Sequence, residues 1–151
     1  MFNPTRDQAR LFFIEAWRKH GAGELVSPLE DAAIRLVMLH PEYHALLRDG
    51  EGALAREWTP ESGEANPFLH LALHLAIEEQ LSIDQPPGLR GAFEALLARR
   101  SDRHAALHDV LECLGETMWN AQKSQSAPDG TVYVECVRKK GPAPHPSRGR
   151  G

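Results

Sequence analysis

Three pairs of histidines are the residues of this 151-residue chain whose type and spacing point most directly to chemistry. Each pair follows the pattern H-x-x-x-H, and the pairs are His40/His44, His70/His74 and His104/His108. Residues i and i+4 of an α-helix lie one turn apart on the same face, so both imidazoles of a pair can reach one metal ion. This spacing favours metal binding.

Two of the pairs continue into a glutamate one helical turn later. The string H-x-x-x-H-x-x-x-E occurs at His70–Glu78 and again at His104–Glu112. Nitrogen and carboxylate ligands together suit zinc, manganese or non-haem iron, and helix bundles build dinuclear centres from such side chains on facing helices. We therefore predict a His/Glu-rich, dinuclear centre, with iron favoured over zinc or manganese and oxygen or redox chemistry as its use.

The predicted metal ligands are histidines and glutamates of these motifs: His40, His44, His70, His74, Glu78, His104, His108 and Glu112. Glu79 and Glu116 are neighbouring carboxylates that could face the site in place of Glu78 and Glu112. His40 has a second interpretation, because it precedes Pro41 and can serve only to end a helix. The sequence leaves these alternatives open.

Helices must position these side chains, since apolar residues recur with helical spacing along most of the chain. We predict an all-α, single-domain bundle of five to seven helices over residues 1–138. The predicted helices span about 4–20, 41–47, 67–81, 89–99 and 102–123, and a further one begins at Pro28 and ends before Pro41, which disfavours a helical His40. The segment TVYVECVRKK is assigned a further short helix, because a lone strand in a helical domain would have no partner.

Local signals sharpen this assignment at three places. Ser27-Pro28-Leu29-Glu30 is a capping box with proline in the first turn, which starts the second helix. The helix from Asn66 is apolar nearly all round, which predicts burial for the pair His70/His74. Residues 48–65 form a long irregular connection that we expect to pack as a lid anchored by Trp58.

Composition limits the partners. The formal charge of −4 gives no general attraction to nucleic acid or anionic lipid. We see no signal peptide or membrane span, and expect a cytoplasmic protein with a disordered basic tail over 139–151. Cys113 and Cys136 form no C-x-x-C motif, so neither a Cys-rich zinc site nor a disulfide framework is expected.

Four blocks of sequence together resemble a known family. They are FNPTRDQ, LHPEYH, NPFLHLALHLAIEEQLSIDQPPG and HAALHDVLECLGE. In these blocks the chain resembles the bacterial family catalogued as domain of unknown function 1841, over nearly its whole length to about residue 138. The resemblance implies a helical, mostly proteobacterial, single-domain protein. It implies no activity and assigns no functional residue, so the metal prediction depends on the histidines and glutamates alone.

Two other functions compete with metal binding. The first is a non-enzymatic adaptor or oligomeric binding module, including a homo-oligomer, in which the histidines are structural. The second is a small-ligand carrier with Trp58 and Trp119 near its pocket. His20 at a helix end and His145 in the tail are assigned no ligand role.

Overall fold

A computed structural model describes residues 6–58 and 66–141, and every regular element in these ranges is helical. The α-helices are α1 (Arg6–Ala22), α2 (Pro28–Met38), α3 (His44–Arg48), α4 (Gly50–Ala55), α5 (Pro67–Ile83), α6 (Leu89–Arg100), α7 (Arg103–Ser124) and α8 (Gly130–Lys139). The all-α class is confirmed. The predicted five to seven helices were too few, since the described ranges alone contain eight.

The additional helix is α4, which lies inside the connection predicted to be irregular over 48–65. It begins at Asp49, whose carboxylate accepts a backbone N–H of the first turn at 3.4 Å. At its other end the buried guanidinium of Arg10 donates to three backbone carbonyls, the shortest contact being 2.7 Å to Arg56 O. Two glycines in six residues lower the intrinsic helix propensity of this segment, so the sequence did not predict the helix. Arg10, more than 40 residues earlier in the chain, stabilises its end. The lid prediction for 59–65 lies outside the described residues.

The chain groups into two compact units, Met1–Leu75 and Ala76–Gly151. The first unit contains α1 to α4 and the first half of α5, and the second contains the rest of α5 with α6, α7 and α8. One continuous domain over 1–138 stays a prediction. The tail prediction for 142–151 lies outside the described residues.

The core of the first unit is apolar and connects all of its helices. Its fully or almost fully buried side chains are Phe13, Ile14, Ala16, Ala33, Ile34, Leu36, Val37, Leu47, Ala53, Phe68, Leu71 and Leu75. The predicted burial of α5 holds for its inner face, where Leu71 and His74 are each 0% exposed. Its outer face is open at Leu69, which is 54% exposed. An apolar helix can therefore keep one side in solvent.

The start and end of α2 follow from its sequence. Ser27 Oγ accepts the Glu30 N–H at 3.1 Å, and the Glu30 carboxylate accepts the Ser27 N–H at 2.9 Å, which confirms the capping box. The helix ends before His40, whose backbone is non-helical at φ −128° and ψ 67°. Pro41 causes this end, because its ring disfavours a helical residue before it. A 3-10 turn over Pro41–Tyr43 follows.

The second unit is joined by a covalent bond that the sequence analysis did not expect. Cys113 on α7 and Cys136 on α8 form a disulfide, with their Cα atoms 5.7 Å apart. The expectation of no disulfide framework considered local motifs only and missed this bond, which joins two helices that pack against each other, α7 and α8. The short helix predicted for TVYVECVRKK is confirmed as α8, capped by Asp129.

The described ranges contain no helix with the length and apolar character required to cross a membrane. The cytoplasmic location stays a prediction.

Candidate metal centre

Three predicted ligands of the first unit, His40, His70 and His74, lie together, and we call them the histidine cluster. One ring nitrogen from each lies within 4.8 Å of the others. Their ring centroids are separated by 4.7 to 5.1 Å. Two nitrogens on one ion stand at most about 4.2 Å apart, since each metal–nitrogen bond is about 2.1 Å. Small side-chain rotations would therefore place all three rings around one cation.

The orientation of His40 is fixed by the helix that precedes it. His40 Nδ1 lies 2.8 Å from Leu36 O. A carbonyl oxygen only accepts, so Nδ1 carries the hydrogen and donates, and the lone pair of the neutral ring is on Nε2. This Nε2 lies 3.1 Å from His70 Nε2. A ring that donates from one nitrogen to a backbone carbonyl and presents the other nitrogen inward has the usual arrangement of a metal-binding histidine.

The cluster is sheltered from solvent. His40 is 2% exposed and His74 is 0% exposed, while His70 is half-buried. The Tyr43 ring stacks parallel to His40 at 5.3 Å and also lies edge-on to His70. Burial, with a smaller contribution from Glu42, raises the pKa of Tyr43, so its phenol is neutral near pH 7. Tyr43 therefore forms an uncharged wall beside the cluster.

Tyr43 and the Leu36 carbonyl were both missed by the sequence analysis. Tyr43 lies inside the H-x-x-x-H string of His40 and could have been noticed there. Leu36 precedes His40 by four residues, which is the spacing at which a side chain can reach back to a carbonyl of the same helix. Each missed group thus had a local signal in the sequence.

His44 does not belong to the cluster. Its Nε2 donates to Val37 O at 2.9 Å, and its ring packs against Trp17 with centroids 4.5 Å apart. The spacing argument failed here because the chain between His40 and His44 is a 3-10 turn that follows a non-helical residue. Residues i and i+4 share a face only within a continuous α-helix.

The histidine pair of the second unit keeps the geometry that its spacing predicts. His104 and His108 lie on α7 with ring centroids 4.2 Å apart, and both are half-buried. The N-terminus of this helix is fixed by Asp102, whose carboxylate accepts the His104 N–H at 3.1 Å. The sequence prediction that this pair shares a metal ion with the α5 pair stays a prediction.

The two predicted carboxylate ligands have basic partners in the second unit. Glu78 accepts two hydrogen bonds from Arg103, at 3.0 and 3.1 Å. Glu112 accepts one from Lys140 at 2.7 Å. These hydrogen bonds raise the pKa of both bases. Each carboxylate would have to break its hydrogen bonds to Arg103 or Lys140 before it could bind a metal ion. The role of Glu78 and Glu112 as ligands stays a prediction.

Comparison with known proteins gives a family without a described activity. A family model described as Domain of unknown function (DUF1841) matches residues 5–139 of the chain. No curated protein and no solved structure matches the chain.

Proposed function

The chain belongs to the family described as Domain of unknown function (DUF1841), and from the geometry of its first unit we propose that it is a metal-binding protein. The ion is held by His40, His70 and His74. The observation that supports this most is the approach of three imidazole nitrogens to within 4.8 Å of one another. Two of these rings are almost fully buried, so surrounding protein limits the access of competing water.

The donor atoms indicate the class of metal. Imidazole nitrogen suits zinc, copper, nickel and iron, whereas calcium and magnesium prefer oxygen. The prediction of iron from the sequence depended on mixed nitrogen and carboxylate ligation, with Glu78 and Glu112 as the carboxylates. In the structure both carboxylates accept hydrogen bonds from basic side chains. We therefore propose a divalent transition metal at a mononuclear centre and place zinc beside iron. The alternative is a dinuclear centre in which Glu78 and Glu112 also serve as ligands.

A structural role for the histidines is the competing function. His40 already has a partner at each ring nitrogen, Leu36 O at 2.8 Å and His70 Nε2 at 3.1 Å. Such a network would hold the end of α2 against α5 with no ion at all. This alternative corresponds to the adaptor or oligomeric binding module, and it predicts that the protein purifies without metal.

Elemental analysis of untagged protein distinguishes the two functions. We expect about one zinc or iron per chain, and one equivalent of Co²⁺ bound by the stripped protein with a visible absorption spectrum typical of nitrogen ligands. His70→Gln tests the ligand least buried in the cluster and so least needed for folding. The matched control is His20→Gln, at an exposed ring outside the cluster.

The result should be interpreted only for variants that keep their helical circular dichroism. Loss of cobalt binding in His70→Gln, with binding retained in His20→Gln, supports the proposal. Wild-type protein that contains no stoichiometric metal and gives no cobalt spectrum would overturn it in favour of the structural network.

A further inference from the structure

A cleft in the first unit lies between α1 and the α3–α4 segment. Its volume is about 620 Å³, within the range of small-molecule sites. Its lining includes Ile14, Trp17, Gly21, Leu47, Arg48 and Glu51. None of them is a predicted metal ligand, so the cleft raises a question separate from metal binding.

The inner surface of the cleft is apolar and fixed in position. Ile14 and Leu47 are 7% and 3% exposed, and they belong to the core of the unit. The Trp17 ring packs against two imidazoles, with centroid distances of 5.2 Å to His20 and 4.5 Å to His44. His44 is itself held by its hydrogen bond to Val37 O. An aromatic surface that is already ordered loses little conformational entropy when a ligand binds.

The rim of the cleft contains charged side chains of two kinds. Arg18 is already occupied, since it bonds Glu15 at 3.0 Å and Glu24 at 2.9 Å. Among the described residues, neither Arg48 nor Glu51 makes an ion pair or a side-chain hydrogen bond. The guanidinium of Arg48 is thus available, and its planar fork matches a carboxylate in two parallel hydrogen bonds.

We propose that this cleft binds a small aromatic carboxylate. The ring of the ligand lies on Ile14 and Leu47 and against the edge of Trp17, and its carboxylate meets Arg48 at the rim. Glu51 lines the same cleft, so its negative charge repels the anion and limits affinity. A guanidinium and a carboxylate form two parallel hydrogen bonds, whereas Glu51 would meet an ammonium group only as a point charge, so we expect the cleft to prefer the acid over an amine.

Nuclear magnetic resonance on the full chain tests the proposal with 3-phenylpropionate as the probe. The chain has three tryptophans, so its indole N–H signals report separately on the cleft and on regions outside it. We expect the Trp17 signal to shift with saturable dependence on the acid, while Trp58 and Trp119 stay in place. The neutral 3-phenylpropionamide and the cationic 3-phenylpropylamine should bind more weakly.

Charge variants test the sign of the recognition. Arg48→Gln should weaken binding of the acid by about two- to fivefold, the usual effect of one exposed ion pair. Glu51→Gln should tighten it by a similar factor. If Arg48→Gln tightens binding of the acid and Glu51→Gln weakens it, the proposal is wrong.

Filling the cleft tests its location. Gly21 lines the cleft, and nothing lies within 4 Å of where its Cβ would stand, so Gly21→Leu adds a side chain to an open part of the cleft lining. The matched control is Gly91→Leu on α6, a helical glycine with equally open surroundings in the second unit. We expect only Gly21→Leu to abolish the Trp17 shift. Unchanged binding in that variant, or no shift of Trp17 in the wild type, would refute the proposal whatever the metal content.

Discussion

The string H-x-x-x-H-x-x-x-E occurs twice in the chain, and its histidines have different surroundings in the two units. His70–Glu78 begins in the first unit, where the histidines of the string meet a third imidazole, His40. His104–Glu112 lies on α7, and the described residues of the second unit alone form no group of three metal-binding side chains. The comparison teaches that i, i+4 spacing produces a pair, and that a third ligand must come from an element outside the helix.

The two units also differ in how they are held together. The first unit depends on an apolar core and on Arg10, which is 3% exposed and bonded to carbonyls at the end of α4. The second unit adds a disulfide and the ion pair between Arg100 and Asp109 at 2.7 Å. Changes to buried nitrogen donors should therefore affect the first unit most, and reducing agents the second.

The largest expected effect is on metal content. Replacing His70 and His74 together by alanine should abolish metal binding, because two of the three imidazoles of the cluster are lost. The sequence pattern predicts a loss for His104→Ala with His108→Ala as well. The metal content per chain, measured by mass spectrometry on folded protein, shows whether the histidine cluster is sufficient or whether His104 and His108 are also needed. A loss confined to the α5 variant would mean that the first unit is sufficient, and full retention in that variant would exclude the cluster as the site.

Reduction of the disulfide should have the next largest effect. Cys113 and Cys136 are separated by 23 residues. Closing a loop of that size restricts the unfolded chain enough to stabilise the fold by about 3 kcal/mol. Urea unfolding with and without dithiothreitol measures this difference, and Cys136→Ser provides a reagent-free check. The cobalt spectrum of the first unit should persist in Cys136→Ser, which needs no metal-binding reductant, and equal unfolding midpoints with and without dithiothreitol would show that the bond is not formed in solution.

Two arginines allow a matched comparison of burial. Arg10 and Arg99 each donate to backbone carbonyls at a helix end, but Arg10 is buried while Arg99 is half-exposed. Arg10→Met should lower the free energy of unfolding by about 2 kcal/mol, because buried carbonyls lose a charged donor. Arg99→Met should cost about 1 kcal/mol, since water can replace its donor. Denaturant titration of both variants checks the order, which would be contradicted by equal losses.

Local sequence patterns predicted what depends on neighbours in the chain. The capping box at Ser27, the end of α2 before Pro41 and the geometry of the His104/His108 pair are all set within a few residues. The sequence could not predict α4 or the disulfide, since each depends on a partner more than 20 residues away. The histidine cluster was predictable only in part. The proximity of His70 and His74 follows from their i, i+4 spacing on α5, whereas the approach of His40 depends on the packing of α2.

The smallest expected effect concerns the start of α2. Ser27→Ala removes the acceptor for the Glu30 N–H and should lower stability by about 1 kcal/mol. The Ser27 N–H, and after it Lys19, lower the pKa of Glu30 in the folded protein. Its ionised carboxylate therefore stabilises the fold above its ordinary pKa, near pH 4, and this contribution disappears as the pH falls through the lowered value.

Glu30→Gln should accordingly be less stable than the wild type at pH 7, and the difference should shrink towards pH 2. Asp129→Asn at the start of α8 is the matched change in the second unit, where the carboxylate accepts two backbone N–H groups. Urea titrations at both pH values measure these differences. A Glu30→Gln deficit that stays constant with pH would show that packing, and not the charge of the capping carboxylate, stabilises α2.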